Sequence, residues 1–148
     1  MANMIPHSFK SELLSGTHNF ASGGNQFKLA LYTAGSGLPY ANTDTAYSSS
    51  VSNEVSTGGG SGYSTGGAIL TSQAVATGTG TATVDFANLT FSSATFGAAY
   101  GVIYNDTNGD KLVVVLDFGG TKTATNGDFT IVFPDPSTPS NAIISLTS

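Results

Sequence analysis

The run Leu112-Val113-Val114-Val115-Leu116 constrains this chain more than any other stretch. It is rich in β-branched residues and has no polar residue at alternate positions, so it reads as a strand covered on both faces. A second apolar run, residues 100–104 (YGVIY), lies just upstream, and the polar residues 105–110 separate the two. Asn108-Gly109 supplies the positive φ of a tight hairpin turn. A hairpin buried on both faces needs a layer above and a layer below, and the rest of the chain has to provide them. Nothing in it is chemically reactive; it is built to pack.

The flanking sequence supplies strands rather than helices. Residues 26–32 (QFKLALY) alternate as a half-buried strand, with Phe27, Leu29 and Leu31 on one face. Further strands are expected at 68–77, 79–86, 89–96, 128–133 and 141–146, with 48–54 as a short edge strand or an extended segment. Turn residues punctuate them, and residues 134–139 (PDPSTP) form a stiff loop unable to donate to a ladder. One helix is expected, within residues 1–16: Pro6 suits a first turn, Ser8 is placed to cap, Phe9, Leu13 and Leu14 share a face, and Gly16 stops it. Such a helix lies over an edge or open end of the sheets, or against a neighbouring subunit.

Residues 33–67 are turn-rich and polar and read as a long exposed loop. Their glycine-dense end, TGGGSGYSTGG, is followed by neither a phosphate-loop lysine nor a helix signal, which excludes a nucleotide site. A flexible connection or a close-packed backbone crossing explains it. Short turns between strands argue against α/β architecture. The expected fold is a single all-β domain over residues 1–148, an antiparallel β-sandwich of jelly-roll or immunoglobulin-like type with one short N-terminal helix.

Charge excludes several partners. Only 9% of residues are charged, against about 25% in ordinary soluble domains, and the net charge is −5 with four lysines and no arginine. Lys10, Lys28, Lys111 and Lys122 are too scattered to displace counterions from phosphates, so neither nucleic acid nor an anionic membrane is an expected partner. There is no cysteine for a disulfide or a thiolate metal site. The N-terminus lacks the pattern of a signal peptide.

Candidate chemistry is sparse. Asp106, Asn108 and Asp110 place oxygen ligands at alternate positions, as at the start of a calcium loop. Lys111 then stands where such a loop needs glycine, and Asp117, at the twelfth position, would lie roughly 20 Å away along a strand. An exposed hairpin tip is the first reading of these residues and calcium the second. His7 and His18 are the only histidines, and no serine sits in a strand-to-helix elbow that would pair with one; His18 reads as a structural residue fixing the exit of the helix. Asp85, Asp117 and Asp128 sit on or beside expected strands, where a surface position is the ordinary reading of a carboxylate. No catalytic residue, cofactor or firm metal site is therefore expected, and the chain is not expected to be an enzyme. The aromatic and apolar residues Phe9, Leu13, Tyr40, Tyr47 and Tyr63 are the candidates for contact with a partner, with Tyr32 beside them; packing in the core or at its rim is an equal reading of the four tyrosines.

Several blocks share a pattern: FKSELLSGTHNF (9–20), FKLALYT (27–33), TAYSSSVSNEVS (45–56), GYSTGGAIL (62–70), YNDTNGDKLVVVLDFGGTKTATNGDFTIVFP (104–134) and NAII (141–144). In this order they resemble a family of small proteins encoded among the structural genes of tailed bacteriophages. The resemblance covers nearly the whole chain and transfers no catalytic residue. It implies a virion component assembled in the host cytoplasm, with a cement or decoration protein on the capsid surface as the leading role. Its partners would be the major capsid protein and copies of itself, with a trimer as the usual arrangement. The alternative is a tail, neck or fibre component acting as a receptor- or glycan-binding module. Release by lysis fits the lack of a signal peptide and of disulfides.

Overall fold

The central hairpin is longer than its two apolar runs suggest. In the computed structural model, which describes residues 3–35, 37–135 and 142–147, β5 (Leu89–Asn105) and β6 (Lys111–Ile131) pair antiparallel from Asn105↔Lys111 out to Leu89↔Ile131. The segments expected as separate strands at 89–96 and 100–104 are thus one strand, as are 112–118 and 128–133. Gly97, Gly119-Gly120 and Asn126-Gly127 all lie within the two paired strands and do not break them. Register shifts fall between Phe91 and Ala94, Ala94 and Phe96, Ala98 and Tyr100, and Ile103 and Tyr104. Bulges of this kind let a long hairpin bend while it stays paired.

Six further elements surround it: α1 (His7–Leu14), β1 (Phe27–Tyr32), β2 (Ala68–Ile69), β3 (Ala74–Gly78), β4 (Thr81–Asp85) and β7 (Ile144–Thr147). They form a four-stranded sheet of order β2-β1-β5-β6 and a three-stranded sheet of order β3-β4-β7, all pairings antiparallel. Among the described residues the result is an all-β, sandwich-like fold with a single short helix, as expected. The stretch 68–77 is two strands, not one: β2 belongs to the first sheet and β3 to the second, and Ser72 between them takes φ 54°. The segment at 48–54 is no ladder strand; its one backbone bridge to the sheet among the described residues joins Glu54 and Tyr32. Pro136 to Pro139 of the proline-rich loop, and the start of the last strand at Asn141, lie outside the described residues. The helix begins after Pro6, which occupies the capping position without a side-chain cap, so Ser8 lies inside it; Gly16 ends it at φ 74°.

The apolar run in β6 is covered on both sides, as its pattern requires: Leu112 to Val115 are fully buried. One side joins the main core with Phe9, Phe20, Phe27, Phe86 and Ile144. On the other side Leu112 and Val115 pack with Tyr32, Tyr40, Val102 and Tyr104, bordered by Met4, Tyr47 and Val51. Tyr40, Tyr47 and Val51 come from the segment 33–67. That segment, read from its polar composition as an exposed loop, therefore supplies the second layer over the hairpin. Two-sided burial of β6 demands a cover on this face, and this segment carries the tyrosines that provide it.

Candidate functional site

The covering segment is fastened by Glu54. Glu54 is the only charged residue between Thr45 and Val84. Its Oε1 accepts the Tyr63 hydroxyl at 2.7 Å and the Gly66 N–H at 2.6 Å, and its Oε2 accepts the Tyr47 hydroxyl at 2.9 Å. The Tyr63 oxygen in turn accepts the β1 N–H of Leu31 at 3.0 Å. Tyr104, on β5, donates to the Gly66 carbonyl at 2.7 Å and stacks on Tyr47 with ring centroids 4.4 Å apart. Tyr32 and Tyr40 share a hydroxyl contact of 3.1 Å, and Tyr40 also donates to the Ser48 carbonyl and accepts its N–H. Burial holds Tyr32, Tyr40, Tyr47, Tyr63 and Tyr104 above the ordinary phenol value. At neutral pH they are donors to the carboxylate and the backbone, not acids.

A second network joins the helix to the hairpin tip. Asn105 is fully buried at the end of β5. Its Oδ1 accepts the Asn108 N–H at 3.2 Å, which fixes the amide so that Nδ2 points to His18 Nδ1 at 3.0 Å and Asn25 Oδ1 at 3.1 Å. An amide nitrogen only donates, so His18 Nδ1 accepts and its proton sits on Nε2, donated to Glu12 Oε2 at 3.1 Å. Lys111 Nζ meets the other Glu12 oxygen at 2.7 Å. The imidazole is enclosed by the rings of Phe9, Phe20 and Phe27. Both its nitrogens are taken by structural partners, in keeping with its reading as a structural residue at the exit of the helix.

This arrangement dictates an acid response. Burial pushes the His18 pKa below the ordinary 6.5, more than Glu12 raises it. Burial also pushes Glu12 up, but its hydrogen bonds and charge interactions with Lys111 and His18 outweigh that and leave it below 4.5. Both groups therefore bind protons more readily in the unfolded chain, and their contribution to stability is complete above about pH 6.5. Below that pH His18 costs stability first, because a proton on Nδ1 would face the Asn105 amide; Glu12 follows below its own ordinary value. Urea unfolding followed from pH 7.5 to 4 should show falling stability with an onset near pH 6.5, and His18→Gln should remove the upper part of the slope. A wild-type profile flat from pH 7 to 5 would contradict the assignment.

The other expected sites are placed as follows. Asp106 pairs with Lys28 at 2.8 Å. Asn108 turns its amide Nδ2 to the Thr17 carbonyl and Asn25 Oδ1. The Asp110 carbonyl accepts the Tyr47 N–H. Among the described residues no three His, Cys, Asp or Glu side chains are grouped to hold a metal. The hairpin turn takes its positive φ at Gly109 (70°) and Asp110 (57°), one residue later than the Asn108-Gly109 signal suggests. His7 is exposed on α1; Asp85 lies on β4, while Asp117 and Asp128 lie on β6 in the other sheet.

The partner-contact candidates need correction. Phe9, Tyr40 and Tyr63 are buried within the chain itself, because the core and the Glu54 network use them. Tyr47 is partly buried in its stack with Tyr104, and Leu13 packs against the main core. It is Leu14, the next helix residue, that stands 91% exposed. No helix among the described residues is long and apolar enough to cross a membrane. Compared with known proteins, the chain matches no family model, and no significant match to a curated protein or to a solved structure is found.

Proposed function

We propose that this chain is a non-enzymatic structural protein of a tailed-bacteriophage particle, a cement or decoration protein that binds between major capsid protein subunits. The reading starts from the resemblance of its sequence blocks to phage structural proteins. The structural observation that carries it is where the polar chemistry goes. Lys111–Glu12, Asn105–His18 and Tyr63–Leu31 each tie together segments remote in sequence, so the titratable groups best placed for catalysis serve as fasteners. What faces outward is largely neutral, with apolar side chains at Leu14, Val132 and Leu146. A rigid body of this kind stabilises a shell by burying surface between its subunits, and it needs no reacting group.

The test is location on purified particles, by imaging with a labelled chain and copy counting. Copies spread over the whole head are expected. Copies confined to the neck or tail would overturn the cement role and leave the receptor- or glycan-binding alternative.

A further inference from the structure

We infer that the face formed by α1 and the outer end of the β3-β4-β7 sheet is a two-fold contact between two copies of this chain. The sheet overruns the core it covers. Across it, Val75, Val84 and Ile144 stand opposite one another, and Ala82 and Leu146 form the next pair along. Val84 and Ile144 are buried against the main core, but Val75 is 50% and Leu146 55% exposed. Between this overhang and α1 runs a groove of about 680 Å³ lined by Ile5, Phe9, Leu13, Ile144 and Leu146. A second hollow of about 260 Å³ shares Leu13, Ile144 and Leu146 with it and extends the apolar floor to Val75. Leu14 projects at the rim of the first. Three of the six large exposed apolar side chains among the described residues, Leu14, Val75 and Leu146, thus meet on one face.

Three observations choose the occupant. Lys10 is the only side chain with a full charge on this lining, so the surface offers neither an acidic nor a basic pattern for a charged partner to read. Next, β7 is a sheet edge with no lysine, proline or bulge along Ile144–Thr147, although such edges are usually blunted. The β6 edge of the other sheet is instead covered by the chain itself, with Met4 bridging to Val115 and Ala46 to Lys111. Finally, a protruding apolar side chain lies directly beside an apolar hollow. A small apolar ligand would fill the groove but touch only the side of Leu14 that lines it, leaving the rest of that side chain in water. A second copy turned about a two-fold axis covers both, each Leu14 entering the other's groove, which is the self-complementarity an isologous contact requires.

This contact extends the assembly reading above but does not rest on it, since it is tested on the isolated chain away from any particle. The measurement is sedimentation equilibrium over a range of concentrations for the wild type, Leu14→Asp and Val132→Asp. Leu14 is exposed in the single chain, so its replacement should leave the circular dichroism and the urea midpoint of the monomer unchanged. The expected result is a wild-type dimer that Leu14→Asp weakens by at least about thirtyfold, the size of an interfacial hot spot. Val132→Asp, at a site 69% exposed but off this face, should leave the dimer intact. A wild type that stays monomeric, a Leu14→Asp chain that dimerises normally, or equal loss in Val132→Asp would each overturn the inference. A monomeric chain that binds purified capsids only when Leu14 is present would assign the face to a different protein.

Discussion

Gly67→Ala is expected to destabilise the fold by about 2–5 kcal/mol, the sum of a left-handed backbone penalty of roughly 1–2 and an overpacking penalty of roughly 1–3. Gly67 has φ 76°, and a Cβ there would land on the Leu29 carbonyl, with the Ala30 Cα also within 3 Å. These are backbone atoms of β1 in the middle of a sheet, so neither can swing aside as a side chain would. The neighbouring residue Ala68 pairs with Leu29, and Gly66 is held by Glu54 on its N–H and by Tyr104 on its carbonyl. Pushing Gly67 away from β1 therefore strains a strand pairing and a polar network together. Gly109→Ala is the control: it has nearly the same φ, 70°, but open space around the added methyl, so only the conformational penalty of about 1–2 kcal/mol should appear. Urea midpoints of the two variants at equal slope measure the difference. Equal destabilisation by the two would mean that the crossing at Gly67 relaxes freely, and that its glycine serves φ alone.

How legible these features are in the sequence depends on the range of the forces that set them. The hairpin core and the Gly16 helix stop are readable because a run of apolar residues or a local turn decides each. The close backbone crossing is half readable: the glycine density between 57 and 67 marks it, but which glycine meets which strand is set by residues thirty-eight positions apart, Leu29 and Gly67. The covering role of 33–67 is misread for a physical reason. Its serines, threonines and glycines look solvated, while the groups that hold it down are tyrosine hydroxyls that meet Glu54 and Ser48 inside the segment and Leu31 and Tyr32 of β1 outside it. Tyr40 and Tyr63 sit in a polar loop, where an aromatic serves equally as a surface contact or as packing; here each hydroxyl finds a buried partner and the ring follows it inward. The overlooked signal was Glu54, a lone carboxylate in a long uncharged tract that carries tyrosines on both sides of it. Glu12 was overlooked for the opposite reason, since a glutamate on a short helix looks like any solvated charge until Lys111 and His18 are brought to it.

Glu54→Ala should be the most damaging loss of a single polar side chain, costing about 3–5 kcal/mol, the loss of hydrogen bonds to a charged group at about 1.5–3 kcal/mol each, lessened by the partial exposure of the site. It leaves the hydroxyls of Tyr47 and Tyr63 and the N–H of Gly66 without their acceptor; the buried Tyr63 then bears its desolvation cost unrelieved, while the half-buried Tyr47 and Gly66 are partly relieved by water. Glu54→Gln separates charge from connectivity. Its single amide oxygen still serves Tyr63 and Gly66, but its NH₂ faces Tyr47, so the expected cost is roughly half that of the alanine variant, in the range of one charged hydrogen bond at about 1.5–3 kcal/mol. The alkaline limb gives an independent readout. Burial raises the folded pKa of Tyr63 and Tyr47 above the ordinary 10.0, and the Glu54 carboxylate raises both further. A phenol held above its unfolded value stabilises the fold below about pH 10.0 and loses that contribution as pH rises beyond it. Wild-type stability should therefore fall from about pH 10 upward, and the fall should be shallower in Glu54→Ala, where the carboxylate's share of the rise is gone. Should Glu54→Ala match the wild type in both midpoint and alkaline slope, water would already be serving these hydroxyls. The hold on the covering segment would then rest on the stacked rings of Tyr47 and Tyr104 and on the backbone crossing at Gly67.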